Sequence, residues 1–217
     1  MANLTLKCMA VANYIIDEIN KYNEDKPFRE KILLSVRRLQ KLLYFCETEY
    51  MIKNNGKPLF EDEFCAWPSG PVIEKIYYTY LQEQNGYMNP YHIPDEPNLT
   101  NDVKCMIDRI LEVTKDLYTS ELIRISKVDD GPHSKVFVKE DNNYDQIVSK
   151  EDTYIYYSKY KSIPQLMIGG SILSHIAYEQ ENQEIDNAIN TLNSMKKEQS
   201  IPRLVKRRIS LKNNDNK

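Results

Sequence analysis

Apolar residues recur at helical spacing along much of the chain. Met9, Ala12, Ile15, Ile16 and Ile19 share one face and predict a helix from about Leu6 to Tyr22. Asn23 to Pro27 is a polar break. Val36, Leu39, Leu43, Cys46 and Tyr50 then step by 3, 4, 3 and 4, so a second amphipathic helix is predicted from about Arg29 to Asn54. Gly56 and Pro58 follow it where a C-cap glycine and a helix-stopping proline belong.

The pattern changes after that helix. Glu63 to Trp67 reads as a short strand and Ser69-Gly70-Pro71 as a turn. Pro71 suits the first position of a third helix carrying Val72, Ile73, Ile76, Tyr77 and Tyr80 inward. Tyr87 to Pro97 is a loop. A fourth helix is predicted from a Thr100 or Asn101 cap, burying Val103, Met106, Ile107, Ile110 and Leu117. Thr119-Ser120 caps a fifth, Asp129 to Ser134 is a loop, and Ser149 with Asp152 opens a sixth that runs through Tyr160. A long helix is predicted over about Ser171 to Gln199. Its second half is polar except for Ile185, Ala188, Ile189, Leu192 and Met195, a narrow seam of the kind that docks on a partner.

The fold class is therefore mainly α: a compact helical domain with a small β element near residues 59–67 and a C-terminal helical arm. With 217 residues and 41% hydrophobic content the chain can build one real core. The expected division is a domain over residues 1–170 and a helix with basic tail over 171–217. No run approaches 18 apolar residues and the N-terminus lacks a basic leader, so no membrane span is expected and a cytoplasmic home follows. Cys8, Cys46, Cys65 and Cys105 show no CxxC spacing and read as small buried residues. Sixteen tyrosines accompany abundant Asn, Lys and Ile, which reads first as compositional bias and second as contact surface.

Charge is distributed unevenly. Lys196–Lys217 holds eight basic and two acidic residues, net +6, which leaves −9 on the rest of a chain whose total is −3. An acidic body with a basic tail points to a partner-binding extension. Arg203, Lys206, Arg207 and Arg208 could neutralise phosphates, yet no helix-turn-helix accompanies them, so a protein partner is favoured over nucleic acid. Catalytic signals are sparse. There is no GxxxxGK[ST], GxGxxG or HExxH, and no Cys/His pair at finger spacing, so neither cofactor nor metal is expected. His92, His133 and His175 stand alone. Glu61-Asp62-Glu63 reads as a solvated turn. Cys65 as a nucleophile in a hidden pocket near Trp67 is the enzyme alternative.

LQKLLYF (Leu39–Phe45), GKPLF (Gly56–Phe60), AWPSGPV (Ala66–Val72) and Ile76-Tyr77 occur in the order and spacing of the Panacea domain, also described as SocA-like or GepA-like. The resemblance runs over about residues 4–160 and rests on Leu39, Lys41, Leu42, Tyr44, Trp67, Gly70, Pro71 and Val72. Physically these read as scaffold: Trp67 packing on Leu42 or Leu43, Gly70 allowing a turn, and Lys41 pointing out or meeting an acid. One departure stands out, because Asp129-Asp130-Gly131-Pro132-His133 lacks the tryptophan that relatives often carry nearby. The resemblance implies a non-enzymatic antitoxin of a two-gene system. Its partner would be a cognate toxin, for instance a small alarmone-synthetase-like nucleotide pyrophosphokinase. Its mode would be occlusion of the toxin's active site, or else presentation of the toxin to a protease. The contact is expected on Ile185, Ile189, Leu192, Met195, Arg203, Lys206 and Arg207.

Overall fold

The computed structural model describes residues 8–81, 99–138 and 144–168. Helix α1 (Cys8–Asn23) buries Val11, Ala12, Ile15, Ile16 and Ile19, the face that the spacing predicts. A 3-10 turn (Phe28–Glu30) follows, and the chain then runs extended to helix α2 (Val36–Lys53). The predicted start near Arg29 is thus too early. The Ser35 hydroxyl accepts from the Arg38 N–H at 3.1 Å, which caps the helix there. Upstream, the Asn23 amide bonds both the N–H and the C=O of Ile32, at 2.8 and 2.9 Å, and holds that stretch out of helical geometry.

The far end of α2 is a Schellman-type stop. Asn55 takes the left-handed position (φ +54°), and the Gly56 N–H reaches back to the Met51 carbonyl at 2.8 Å. The glycine therefore sits one residue later than a simple C-cap would put it.

Helix α2 is the hub. It packs against α1 and strand β2 (Gly70–Val72), and against helices α3 (Glu74–Thr79), α4 (Asn101–Thr114), α5 (Thr119–Ser126) and α7 (Lys150–Tyr157). Fourteen of its eighteen residues are buried, so it is no half-exposed amphipathic helix but one enclosed all round. Tyr44 and Phe45, both buried, anchor an aromatic core in which Tyr44 meets Phe64 and Tyr157 edge-on, with ring centroids at 5.3 and 6.1 Å.

Strands β1 (Phe64–Trp67), β2 and β3 (Ile147–Val148) form an antiparallel sheet in the order β2-β1-β3. Cys65 pairs with Val72, and Trp67 with Gly70. Two expectations change here. The β element extends past residue 67, and Pro71 sits in a strand rather than opening a helix. As an edge strand, β2 tolerates a residue with no N–H to donate. Helix α3 accordingly begins at Glu74 and buries Ile76, with Tyr80 buried just beyond its end, while Val72 belongs to the sheet.

The Thr100 cap, the buried face of α4 and the Ser149 cap of α7 stand as predicted. Tyr118 rather than Thr119 precedes α5, its N–H donating to the Glu121 carboxylate at 2.7 Å. Part of the predicted Asp129–Ser134 loop is a short helix, α6 (Pro132–Val136), with Pro132 at its first position. Residues 163–168 are helical, and Ile163 and Met167 close the core. The Tyr87–Pro97 loop and the arm over 171–217 lie outside the described residues. No helix among the described residues is long and apolar enough to cross a membrane.

Candidate functional site

Five of the eight motif residues meet at the turn joining β1 to β2: Trp67, Gly70, Pro71 and Val72 belong to the two strands, and Lys41 reaches Pro71 from α2. The carbonyls of that turn are gripped from three sides. The Lys41 ammonium nitrogen donates to the Pro71 carbonyl at 2.6 Å. Lys127 donates to the Pro68 carbonyl at 2.7 Å. His133 Nε2 lies 2.8 Å from the Trp67 carbonyl, which can only accept, so Nε2 carries the proton. Gly70 adopts φ +94°, and a Cβ there would stand 2.6 Å from Ser126 Oγ and 2.9 Å from Lys41 Nζ. Only glycine fits that backbone geometry and that space together.

Lys41 thus neither points outward nor meets an acid. It is fully buried on α2. Burial, with Lys127 nearby, holds its amine well below the ordinary lysine range. A neutral amine still donates a hydrogen bond, so the Pro71 contact survives deprotonation. His133 is pushed down to about 4 by burial, against the opposing pull of the Trp67 carbonyl, and is neutral at physiological pH. It is a core histidine, stacked on Phe137 at 5.2 Å.

Trp67 also departs from expectation. Phe64 and Ala66 point into the core, and the two-residue alternation turns Cys65 and Trp67 to the other face. Trp67 packs on Tyr77, Tyr78 and Tyr144, at 5.0, 6.3 and 6.2 Å, rather than on Leu42 or Leu43. Leu39 and Leu42 lie in the core, as a scaffold reading requires.

Sequence reasoning missed four further polar residues of α2. Arg38 donates to the Thr114 and Leu117 carbonyls, each at 2.6 Å, and thereby closes the end of α4; burial brings its pKa down to about 10. Gln40 bonds the backbone of Ile73 twice, accepting from its N–H at 2.8 Å and donating to its carbonyl at 3.3 Å. Glu47 accepts from the Leu59 N–H at 2.8 Å and pairs with Lys150 at 3.1 Å. Burial raises the Glu47 carboxyl against that pairing. Glu49 accepts from the Ile163 N–H at 2.7 Å and pairs with Lys53 at 2.8 Å. A signal was available: polar residues spread around every face of an otherwise apolar helix leave no solvent side.

Burial raises the Cys65 thiol, as do the carboxylates of Glu74, Asp145 and Glu63, which disfavours a thiolate nucleophile. Cys8 and Cys46 are buried as expected, but Cys105 is exposed. Among the described residues no group of His, Cys, Asp or Glu could hold a metal ion. Glu61 and Glu63 are exposed, as a solvated turn requires. The expected contact residues Ile185, Ile189, Leu192, Met195, Arg203, Lys206 and Arg207 lie outside the described residues, as do His92 and His175.

The hydrogen bonds from α2, Lys127 and His133 define a helical scaffold domain fastened from within. Residues 39–132 match the family described as Antitoxin SocA-like, Panacea domain. The match is narrower than the 4–160 expected. Antitoxin SocA of Caulobacter vibrioides (strain NA1000 / CB15N) is 28% identical over 133 residues, covering 57% of this chain and 66% of that protein's own length. No solved structure matches the chain.

Proposed function

We propose that this protein is the antitoxin of a two-gene toxin–antitoxin system and neutralises its toxin by direct contact. The match of residues 39–132 to the SocA-like antitoxin domain carries the reading. The geometry supports a binding role in one respect. The shared motif is spent on fastening the β1–β2 turn and the loops to α2, so the outer face of those loops is free to vary with the partner.

A toxin of the small alarmone-synthetase-like nucleotide pyrophosphokinase kind fits the charge balance. Such an enzyme holds basic groups to grip phosphates, and the net −9 outside the Lys196–Lys217 tail complements them. Occlusion of the toxin's active site is the proposed mode. Co-expression with the product of the neighbouring gene tests it: the chain should relieve that product's growth arrest and co-purify with it. Relief that needs an intact cellular protease would replace occlusion with presentation to that protease. Removing residues 180–217 separates two placements, since retained neutralisation would assign binding to the Panacea domain rather than to the arm.

A further inference from the structure

Three of the most exposed large apolar side chains of the domain line one groove. Phe28 is 77% exposed, Leu33 64% and Tyr118 77%. The groove has a volume of about 740 Å³ and runs between the 28–33 segment on one side and the α4–α5 junction on the other. Apolar side chains gathered in this way signal an interaction site, whereas single exposed ones do not.

Both walls are fixed. On one, the Asn23 amide clamps Ile32 through two hydrogen bonds and the 3-10 turn presents Phe28. On the other, Arg38 ties the carbonyls of Thr114 and Leu117 directly before Tyr118. A partner meeting this groove has little ordering left to impose on it.

The charge of the groove names its occupant. Its lining holds four basic residues (Arg29, Lys31, Arg38, Lys115) and two acidic ones (Glu30, Asp116), in a chain whose net charge is −3. Arg29 and Lys31 line the groove beside the apolar side chains. No strand of the described sheet borders it, so an added β-strand has no edge to pair with there. We infer that the groove receives an amphipathic helix of the partner protein, with apolar anchors on one face and acidic residues flanking them. This rests on the antitoxin reading only in taking that partner to be the toxin.

The test uses the full chain and two synthetic helical peptides. Both share one Leu/Phe stripe; one is flanked by Glu and the other by Lys. Fluorescence anisotropy should show the Glu-flanked peptide binding at least about tenfold more tightly than the Lys-flanked one. Phe28→Asp with Leu33→Asp, and separately Tyr118→Glu on the opposite wall, should each cost at least about tenfold in that affinity with an unchanged circular dichroism spectrum. Equal binding of both peptides, no binding, or indifference to all three substitutions overturns the inference. So does a wild-type dimer that Phe28→Asp disperses, since the occupant would then be a second copy. If the wild-type chain fails to relieve the neighbouring gene's toxicity, the antitoxin reading falls while the peptide result still decides the groove.

Discussion

Lys41→Met isolates what a buried amine does to this fold. In the unfolded chain lysine titrates near about 10.4. In the folded protein burial and the proximity of Lys127 depress Lys41 well below that range. Between the two values the unfolded state holds one more proton than the folded state, so stability rises with pH. The limiting slope for one proton is about 1.4 kcal/mol per pH unit. Stability that the neutral amine permits is lost as the pH falls from the unfolded value toward the folded one. Methionine is an unbranched side chain one atom shorter and carries no titrating group. Its cost is the Pro71 carbonyl, which loses its donor at 2.6 Å; a buried unsatisfied carbonyl costs about 1–3 kcal/mol. At alkaline pH the variant should therefore be less stable than wild type by about that amount. The gap should then narrow, and can reverse, as the pH is lowered. Urea unfolding followed by far-ultraviolet circular dichroism, at steps from about pH 10 to about pH 7, measures it. The buried thiols of Cys8 and Cys46 are common to both proteins and cancel in the difference. A gap that stays constant over the whole range refutes the reasoning, because Lys41 would then keep the same charge in both states.

Gly70→Ala should destabilise by roughly 3 kcal/mol or more, combining the strain of φ +94° with displacement of Lys41 from Pro71. Adding Ser126→Ala should recover part of the loss, and a urea midpoint equal to wild type in the single variant would contradict the steric account. Lys150→Met leaves the buried Glu47 carboxylate without its cation and should cost about 3–5 kcal/mol by the same measurement, with Glu47→Gln in the same chain restoring much of it. Iodoacetamide labelling read by mass spectrometry should modify exposed Cys105 well before Cys65, and Cys8 and Cys46 last; Cys65 reacting first would reopen the nucleophile reading. Cys65→Ala should retain full neutralisation in the co-expression assay, because no described group lowers that thiol toward a thiolate.

Helix faces and caps were readable because they depend on local spacing. The stripe of α1, the buried face of α4, the Thr100 cap and the Ser149 cap all follow from residues within a few positions of one another. What failed depends on neighbours far away in sequence. Lys41 is buried because the Pro71 carbonyl, thirty residues on, is there to receive it. Pro71 lies in a strand because β1 pairs with β2 through Trp67 and Gly70, and a proline at a sheet edge looks in sequence like a proline opening a helix. Trp67 turns away from α2 because strand alternation commits Phe64 and Ala66 inward first. The site shows the same division. AWPSGPV identified the right turn, but the side chains that hold it come from residues 41, 127 and 133, which no local pattern joins.

The interior fastening bears on how one scaffold could serve different partners. Five buried polar side chains of α2 bond the backbone of other segments: Arg38 on Thr114 and Leu117, Gln40 on Ile73, Lys41 on Pro71, Glu47 on Leu59 and Glu49 on Ile163, the two glutamates also pairing with Lys150 and Lys53. A backbone group is present whatever residue occupies the position, so substitutions on the outside of these segments leave the fasteners intact. Loop conformation is thereby uncoupled from loop sequence. Pro68 and Ser69 lie within the clasped turn, and Phe28, Leu33 and Tyr118 stand beside segments held by Asn23 and Arg38. The free energy that holds those side chains in place comes largely from groups other than the side chains themselves. Contact residues can therefore change without the stability cost that changing a packed residue would bring.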